Sequence, residues 1–258
     1  MRDWYSQEEL DVLLATASPR HGWDFSRMNA LRQPVPWEYS DVVARYLDPA
    51  DVVLDIGTGG GERFRELARL FGHGLGIDVD PQMIRHAEQA SAAPNVEFRV
   101  CSEQLEAVTS AGFDVIVCRH APFNLRVVAD HLRPGGYFIT QQVGERTMTS
   151  VKEALGQSLA GPVIAPEHFM QADLRLLAFA EYDVEYVVCD IESLVFWLSG
   201  LDLCHADVAG SAALTSAATF SQVLAGNVDD RGFVTNEHRY LAIGQKRLSS
   251  VLPGRPSR

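Results

Sequence analysis

The chain has little of what marks several protein classes. Four cysteines in 258 residues, Cys101, Cys118, Cys189 and Cys204, lie far apart and form no C-x-x-C pair. Neither a disulfide framework nor a zinc site is therefore expected. No run of about 18 apolar residues occurs, so no transmembrane helix is expected. No apolar stretch follows Met1-Arg2-Asp3-Trp4-Tyr5, so no secretory signal is expected, and buried free thiols in the cytoplasm are the plain reading. Positive charge is scarce: 22 Lys+Arg against 34 Asp+Glu leave a formal net charge of -12, and the basic residues are scattered. Such a field repels phosphate backbones, so no DNA partner is expected and RNA is disfavoured. Internal repeats and low-complexity stretches are also missing. What remains, 47% hydrophobic and 22% charged, is ordinary globular composition. At roughly 100–200 residues per domain, the length allows one large domain or two small ones. A chain this long buries enough apolar surface to need no covalent staple.

Residues 1–46 read as an N-terminal helical cap segment rich in aromatics, with Trp4, Tyr5, Trp23, Phe25 and Trp37. Ser6 and Glu9 have capping-box spacing, and Leu10, Leu13, Leu14 and Ala17 follow at helical period. Pro19 and Gly22 stop that helix, and a second helix is expected over 37–46. From residue 51 the rhythm becomes strand, helix, strand. Strands are expected at 51–56, 74–78, 96–100, 113–118 and 137–143, with helices at 62–71, 81–90 and 124–132. Apolar strands alternating with helices predict a doubly wound α/β fold, with a mostly parallel sheet covered by helices on both faces. Beyond it, 144–165 has no clear period, 167–180 reads as a helix, 184–189 as a strand, 192–200 as a helix and 233–245 as a closing strand. Residues 47–250 form the α/β domain. Within it, 144–165 and 190–230 read as small lid-like insertions that cover substrate, and 251–258 as a loose tail.

The sharpest local pattern is Val52-Val53-Leu54-Asp55-Ile56-Gly57-Thr58-Gly59-Gly60-Gly61-Glu62. A strand enters a glycine loop that opens a helix, at the edge of the crevice where open α/β sheets bind ligands. A dinucleotide fingerprint needs a third glycine where Glu62 stands, and a carboxylate there would face a pyrophosphate. A P-loop needs G-K-[ST], which is absent. A ligand with a positive group fits better, and S-adenosylmethionine (SAM) has both an ammonium and a sulfonium. Asp55 is an acid placed for the ammonium. Asp78, at the end of the next strand, suits the two ribose hydroxyls, with Val79 beside it. Asp80 lies past the strand end. A tight turn and a helix cap are the plain alternatives for the loop and for Asp78.

These residues, Asp55-Ile56-Gly57-Thr58-Gly59-Gly60-Gly61, resemble the first motif of the class I SAM-dependent methyltransferases. Gly76-Ile77-Asp78-Val79-Asp80 resembles their acidic second motif, Phe113 to Arg119 their fourth-strand motif, and Leu132-Arg133-Pro134-Gly135-Gly136 the stretch before strand five. The resemblance covers about residues 50–143. It implies a seven-stranded sheet with an antiparallel last strand, and SAM as cofactor with S-adenosylhomocysteine as product. It implies cofactor contacts at Asp55, Gly57, Thr58, Gly59, Gly61, Asp78, Val79 and Arg119. Many members bond the adenine amino group with an acid after strand three; here Ser102 or Glu103 stands in that stretch.

Methyl transfer is an in-line displacement that needs alignment and exclusion of water, and a base only where the acceptor must lose a proton. His120 and Arg119, directly after strand four, are the candidate catalytic residues: His120 as a base, Arg119 as a binder of a substrate carboxylate. Asn124 reads as a helix cap. His238-Arg239-Tyr240 is a second polar cluster with a structural role, and His21, His168 and His205 read as surface or capping residues. The expected function is methylation of an N or O atom of a small-molecule acceptor by a monomer or homodimer. Alternatives are an RNA-directed methyltransferase, a SAM-binding accessory protein without methyl transfer, and an NAD enzyme. An Asn-Pro-Pro-Tyr-type motif is absent at Arg119-His120-Ala121-Pro122, which counts against base N-methylation.

Overall fold

The computed structural model describes residues 5–16, 25–90, 93–109, 112–154, 164–200 and 217–248. Trp4, His21, Trp23, Cys204 and His205, together with the tail 251–258, lie outside the described residues.

The central strands form because their sequences are rich in apolar residues, as runs or in alternation. Strands β2 (Val52–Ile56), β3 (His73–Asp78), β4 (Val96–Val100), β5 (Phe113–Arg119) and β6 (Leu132–Val143) follow one another with helices between most of them. β2 pairs in parallel with β3 and β5, β3 with β4, and β5 with β6. Val53, Leu54, Ile56, Ile77, Val115, Ile116, Val117, Phe138 and Ile139 are each at most 3% exposed. Each such side chain contributes roughly 1.5–3 kcal/mol relative to exposure. The intervening helices start on their own caps. Asp80 accepts from the Gln82 N–H at 2.7 Å, with Pro81 as the first residue of α4 (Pro81–Gln89). Asn124 caps α5 (Leu125–His131) by accepting from Arg126 N–H at 3.1 Å.

Among the described residues the sheet has eight strands rather than the expected seven, in the order β1-β7-β8-β6-β5-β2-β3-β4. The extra strand, β1 (Ala30–Arg32), comes from the N-terminal segment and pairs antiparallel with β7 (Leu174–Val188). The last strand, β8 (Phe233–Lys246), runs against β6 as expected. Gln245 donates to the Gly135 carbonyl at 3.0 Å, whereas Gly144 N–H reaches the His238 carbonyl at 2.9 Å.

The helix expected over 167–180 is a correction. Only α7 (Pro166–Gln171) is helical; Asp173 takes a left-handed φ of 58°, and β7 starts at Leu174. Leu174 to Glu181 is rich in good helix formers, but Arg175 lies beside Gln245 at 2.8 Å and Tyr182 beside Glu237 at 2.6 Å. Pairing along β8 overrides local propensity. The Pro134-Gly135-Gly136 stop lies inside β6 as a bulge: Phe113 faces Leu132, but Val115 faces Tyr137.

Two compact units result. One comprises residues 39–142, 164–180 and 241–258 and carries the parallel strands. The other comprises residues 1–38, 143–163 and 181–240. The second has its own apolar core, in which α1 (Gln7–Thr16), α6 (Thr149–Ala154), α8 (Ile191–Gly200) and α9 (Ala217–Leu224) bring together Leu10, Val151, Leu194, Leu198, Phe220 and Val223. Ser6 caps α1 as its spacing predicts, accepting from Glu9 N–H at 3.1 Å.

Candidate functional site

The loop after β2 is held by backbone bonds to the neighbouring strand: Gly57 and Thr58 N–H both donate to the Ile77 carbonyl, at 2.9 and 2.8 Å. Gly57, Gly59 and Gly61 have φ of 72°, 56° and 73°, the left-handed region that side chains disfavour. Space is short as well. A methyl group on Gly57 would lie 2.2 Å from Cβ of Ala121, and one on Gly61 would lie 2.6 Å from the Phe98 ring. The six-residue α3 (Glu62–Leu67) begins directly at Gly61.

Asp78 closes the loop from below. Its Oδ2 accepts from Gly59 N–H and its Oδ1 from Asp80 N–H, both at 2.9 Å. Each carboxylate oxygen accepts one backbone N–H and keeps capacity for another donor, which suits a pair of vicinal hydroxyls. Val79, the next residue, is 63% exposed and offers an apolar surface to a flat base. Asp80 itself is occupied as the cap of α4.

Asp55, near the end of β2, has its pKa raised from 3.8 to about 7. Burial is the main cause and the charge of Asp78 adds to it, while a Thr58 hydrogen bond and the Arg119 guanidinium pull it back. A partly buried acid of this kind is stabilised as the anion by an incoming ammonium. The loop and its acids thus fit a SAM molecule: a cradle with no room for side chains, an acceptor pair for the ribose and an anion for the amino group.

Ser102 and Glu103 follow β4. Ser102 donates to Glu106 at 2.7 Å and accepts from Gln104 N–H at 3.1 Å. Glu103 accepts from the Gln104 side chain at 3.2 Å. Both side chains have partners within their own loop, and the Glu103 carboxylate keeps acceptor capacity for a further donor such as an adenine amino group.

Arg119 is the last residue of β5, with its guanidinium carbon 6.0 Å from the Tyr39 ring centre. His120 is exposed and has a left-handed φ of 57°, a strained state for a non-glycine residue. Its N–H donates to the Gln141 carbonyl at 2.9 Å, and its Nε2 lies 3.3 Å from Gln141 Nε2. The sequence reading missed Gln141 and Tyr39. Tyr39 is buried, donates to the Ile139 carbonyl at 3.1 Å, and has its pKa pushed well up by burial and by Asp55. The signal for Gln141 was present: Thr140, Gln141 and Gln142 are three polar residues closing an apolar strand, each at most 5% exposed.

His238-Arg239-Tyr240 lies in the other compact unit and braces it. The His238 ring is fully buried, accepts from Arg146 N–H at 3.2 Å and lies 3.3 Å from Glu181. Arg239 reaches Thr147 at 2.9 Å, and Tyr240 donates to Glu145 at 2.7 Å. His168 accepts from Ala165 N–H at 3.3 Å at the start of α7.

The family model for a methyltransferase domain matches residues 53–136, the stretch that holds the loop, both acids and His120. A ubiquinone biosynthesis O-methyltransferase of Xanthomonas campestris is 34% identical over 146 residues, which are 51% of this chain and 59% of that protein. A ribosomal protein L11 methyltransferase of Thermus thermophilus is 32% identical over 143 residues, 53% of this chain and 55% of that protein. The chain thus spans little more than half the length of these curated relatives. In fold, a methyltransferase-assigned structure from Bacillus halodurans superposes with a TM-score of 0.56 at 14% identity, covering 81% of this chain and 97% of that one. Residues 53–136, which hold the glycine cradle and the Asp78 contacts, are thus similar to a methyltransferase domain, and the superposition shows a shared fold.

Proposed function

We propose that the protein transfers the methyl group of SAM to an oxygen atom of a small-molecule acceptor. One observation carries the reading: Asp78 holds Gly59 N–H on one oxygen and Asp80 N–H on the other, beside a loop whose glycines leave no space for side chains. SAM, when bound, supplies a methyl group already activated on a positively charged sulfur. Asp78 receives the ribose hydroxyls, Val79 lies against the adenine, and Asp55 pairs with the ammonium. Arg119 and His120, at the exit of β5, orient the acceptor and help exclude water.

The choice of oxygen and of a small molecule is supported by the O-methyltransferase relatives and by the net charge of -12, which disfavours RNA. Among the described residues no helix is long and apolar enough to cross a membrane. The buried thiols of Cys101 and Cys118 support a reducing, cytoplasmic setting.

The test has two stages. Calorimetric titration with SAM, S-adenosylhomocysteine and NADH decides the cofactor. Transfer of labelled methyl to a panel of phenols, carboxylic acids, amines, RNA and ribosomal protein then decides the acceptor. Binding of the adenosyl ligands with label appearing in small oxygen acceptors supports the reading. Binding without transfer to any acceptor would favour a SAM-binding accessory protein, and transfer to RNA or protein would overturn the small-molecule assignment.

A further inference from the structure

His120 is held twice by a single residue. The Gln141 carbonyl takes its backbone N–H at 2.9 Å, and the Gln141 amide nitrogen lies 3.3 Å from Nε2 of the ring. Gln141 is 3% exposed and faces Arg119 in the β5–β6 register, so its side chain is set by the sheet. The next residue, Ala121, packs so closely on the glycine loop that Gly57 has no room for a Cβ. The left-handed φ of 57° at His120 is therefore kept between two rigid partners, at the border of the cofactor loop.

An amide N–H pointing at Nε2 needs a lone pair there. In a neutral imidazole the proton then resides on Nδ1. Building on the methyl-transfer reading, we propose that Gln141 is a positioning residue that fixes the Nδ1–H tautomer of His120, so that the ring meets the acceptor as a hydrogen-bond donor and not as a base.

The acceptor class follows from this. A donating ring does not remove the acceptor's proton, so the nucleophilic oxygen arrives as an anion, a phenolate or a carboxylate. The step balances without a base. The oxygen's electron pair forms the bond to the methyl carbon as the methyl–sulfur bond breaks, and that pair stays on sulfur. The positive charge on sulfur and the negative charge on oxygen are both lost, and no proton moves.

The tautomer is read directly from ¹⁵N shifts of the histidine rings, recorded about two units above the ordinary histidine pKa of roughly 6.5. His120→Ala assigns the signal. The expected result is a protonated Nδ1 in the unsubstituted protein and a switch to protonated Nε2 in Gln141→Glu, whose carboxylate accepts from Nε2. In turnover, Gln141→Ala should raise KM for phenols about tenfold with little change in kcat, and adding it to His120→Ala should cost nothing further. A protonated Nε2 in the unsubstituted protein would place the amide oxygen against the ring and overturn the proposal, as would additive effects of the two substitutions. The ligand-free spectrum decides the tautomer even if Gln141→Glu fails to fold. It needs neither cofactor nor acceptor. If the tautomer is as expected but no adenosyl ligand binds, the methyl-transfer reading falls, and with it the acceptor class, while the Gln141–His120 pairing stands.

Discussion

Gly59 donates its N–H to Oδ2 of Asp78 at 2.9 Å, which ties the glycine loop to the next strand's acid. Removing the carboxylate should do two things at once: delete the ribose acceptor and release the loop. Asp78→Ala is expected to lose about 1–3 kcal/mol of S-adenosylhomocysteine affinity, roughly 5- to 150-fold in Kd. Calorimetry on the variant checks this. An unchanged Kd would remove Asp78 from the site.

Gly57→Ala should be worse for the protein than its size suggests. The added methyl meets Ala121 at 2.2 Å, and the backbone there has a φ of 72°. The strain alone is about 1–3 kcal/mol. Thermal unfolding should show a lower midpoint, and adenosyl ligands should bind more weakly. Adding Ala121→Gly should recover part of the loss.

Asp55 makes stability fall as pH rises. Its folded pKa of about 7 exceeds its ordinary value of 3.8, so between these values the folded chain holds a proton that the unfolded chain has lost. The stabilising contribution is full below the unfolded pKa and lost by the folded one. Thermal melts across that window should show a pH slope that is reduced in Asp55→Asn. Ligand affinity should move the other way, rising by up to about tenfold per pH unit below 7 and then levelling.

Cys118 should resist alkylation. Burial, then the charge of Asp55, push its pKa up to about 12, so the reactive thiolate is scarce at neutral pH. Peptide mapping after iodoacetamide treatment of the native protein should leave Cys118 unmodified. Treatment after unfolding should modify it.

Phe138→Ala tests the core of the parallel sheet. The ring is fully buried, 5.1 Å from Phe123 and 6.4 Å from Phe169. The cavity should cost about 3–5 kcal/mol in denaturant unfolding.

The parallel core was legible because its information is local. Val52 to Ile56 is apolar except for Asp55, Asp80-Pro81 and Asn124 announce the helices they cap, and the glycines of the loop stand within five residues. What escaped depends on distant partners. β1 has only three residues, Ala30-Leu31-Arg32, and is a strand because Tyr186 to Val188 pairs with it. Leu174 to Ala180 has the composition of a helix and becomes a strand beside β8. Asp55 and Asp78 could be chosen from their places after strands, but Tyr39 reaches the Ile139 carbonyl across 100 residues of sequence. Gln141 meets His120 only through β-sheet register. No spacing rule on one stretch of chain reports such contacts.

The two outermost strands, β1 and β4, carry a consequence for the behaviour of the protein at high concentration. Unpaired strand edges are templates for extension by another chain. On one side β1 covers only Tyr186 to Val188 of the 15-residue β7, and its Arg32 is ion-paired with Glu237 at 3.5 Å. On the other, β4 alternates Glu97 and Arg99 into solvent, and Arg99 is 3.9 Å from Glu97. Charge at the β4 rim leaves little there for a further strand to add to. The β4 margin is thus a poor starting point for fibrous growth.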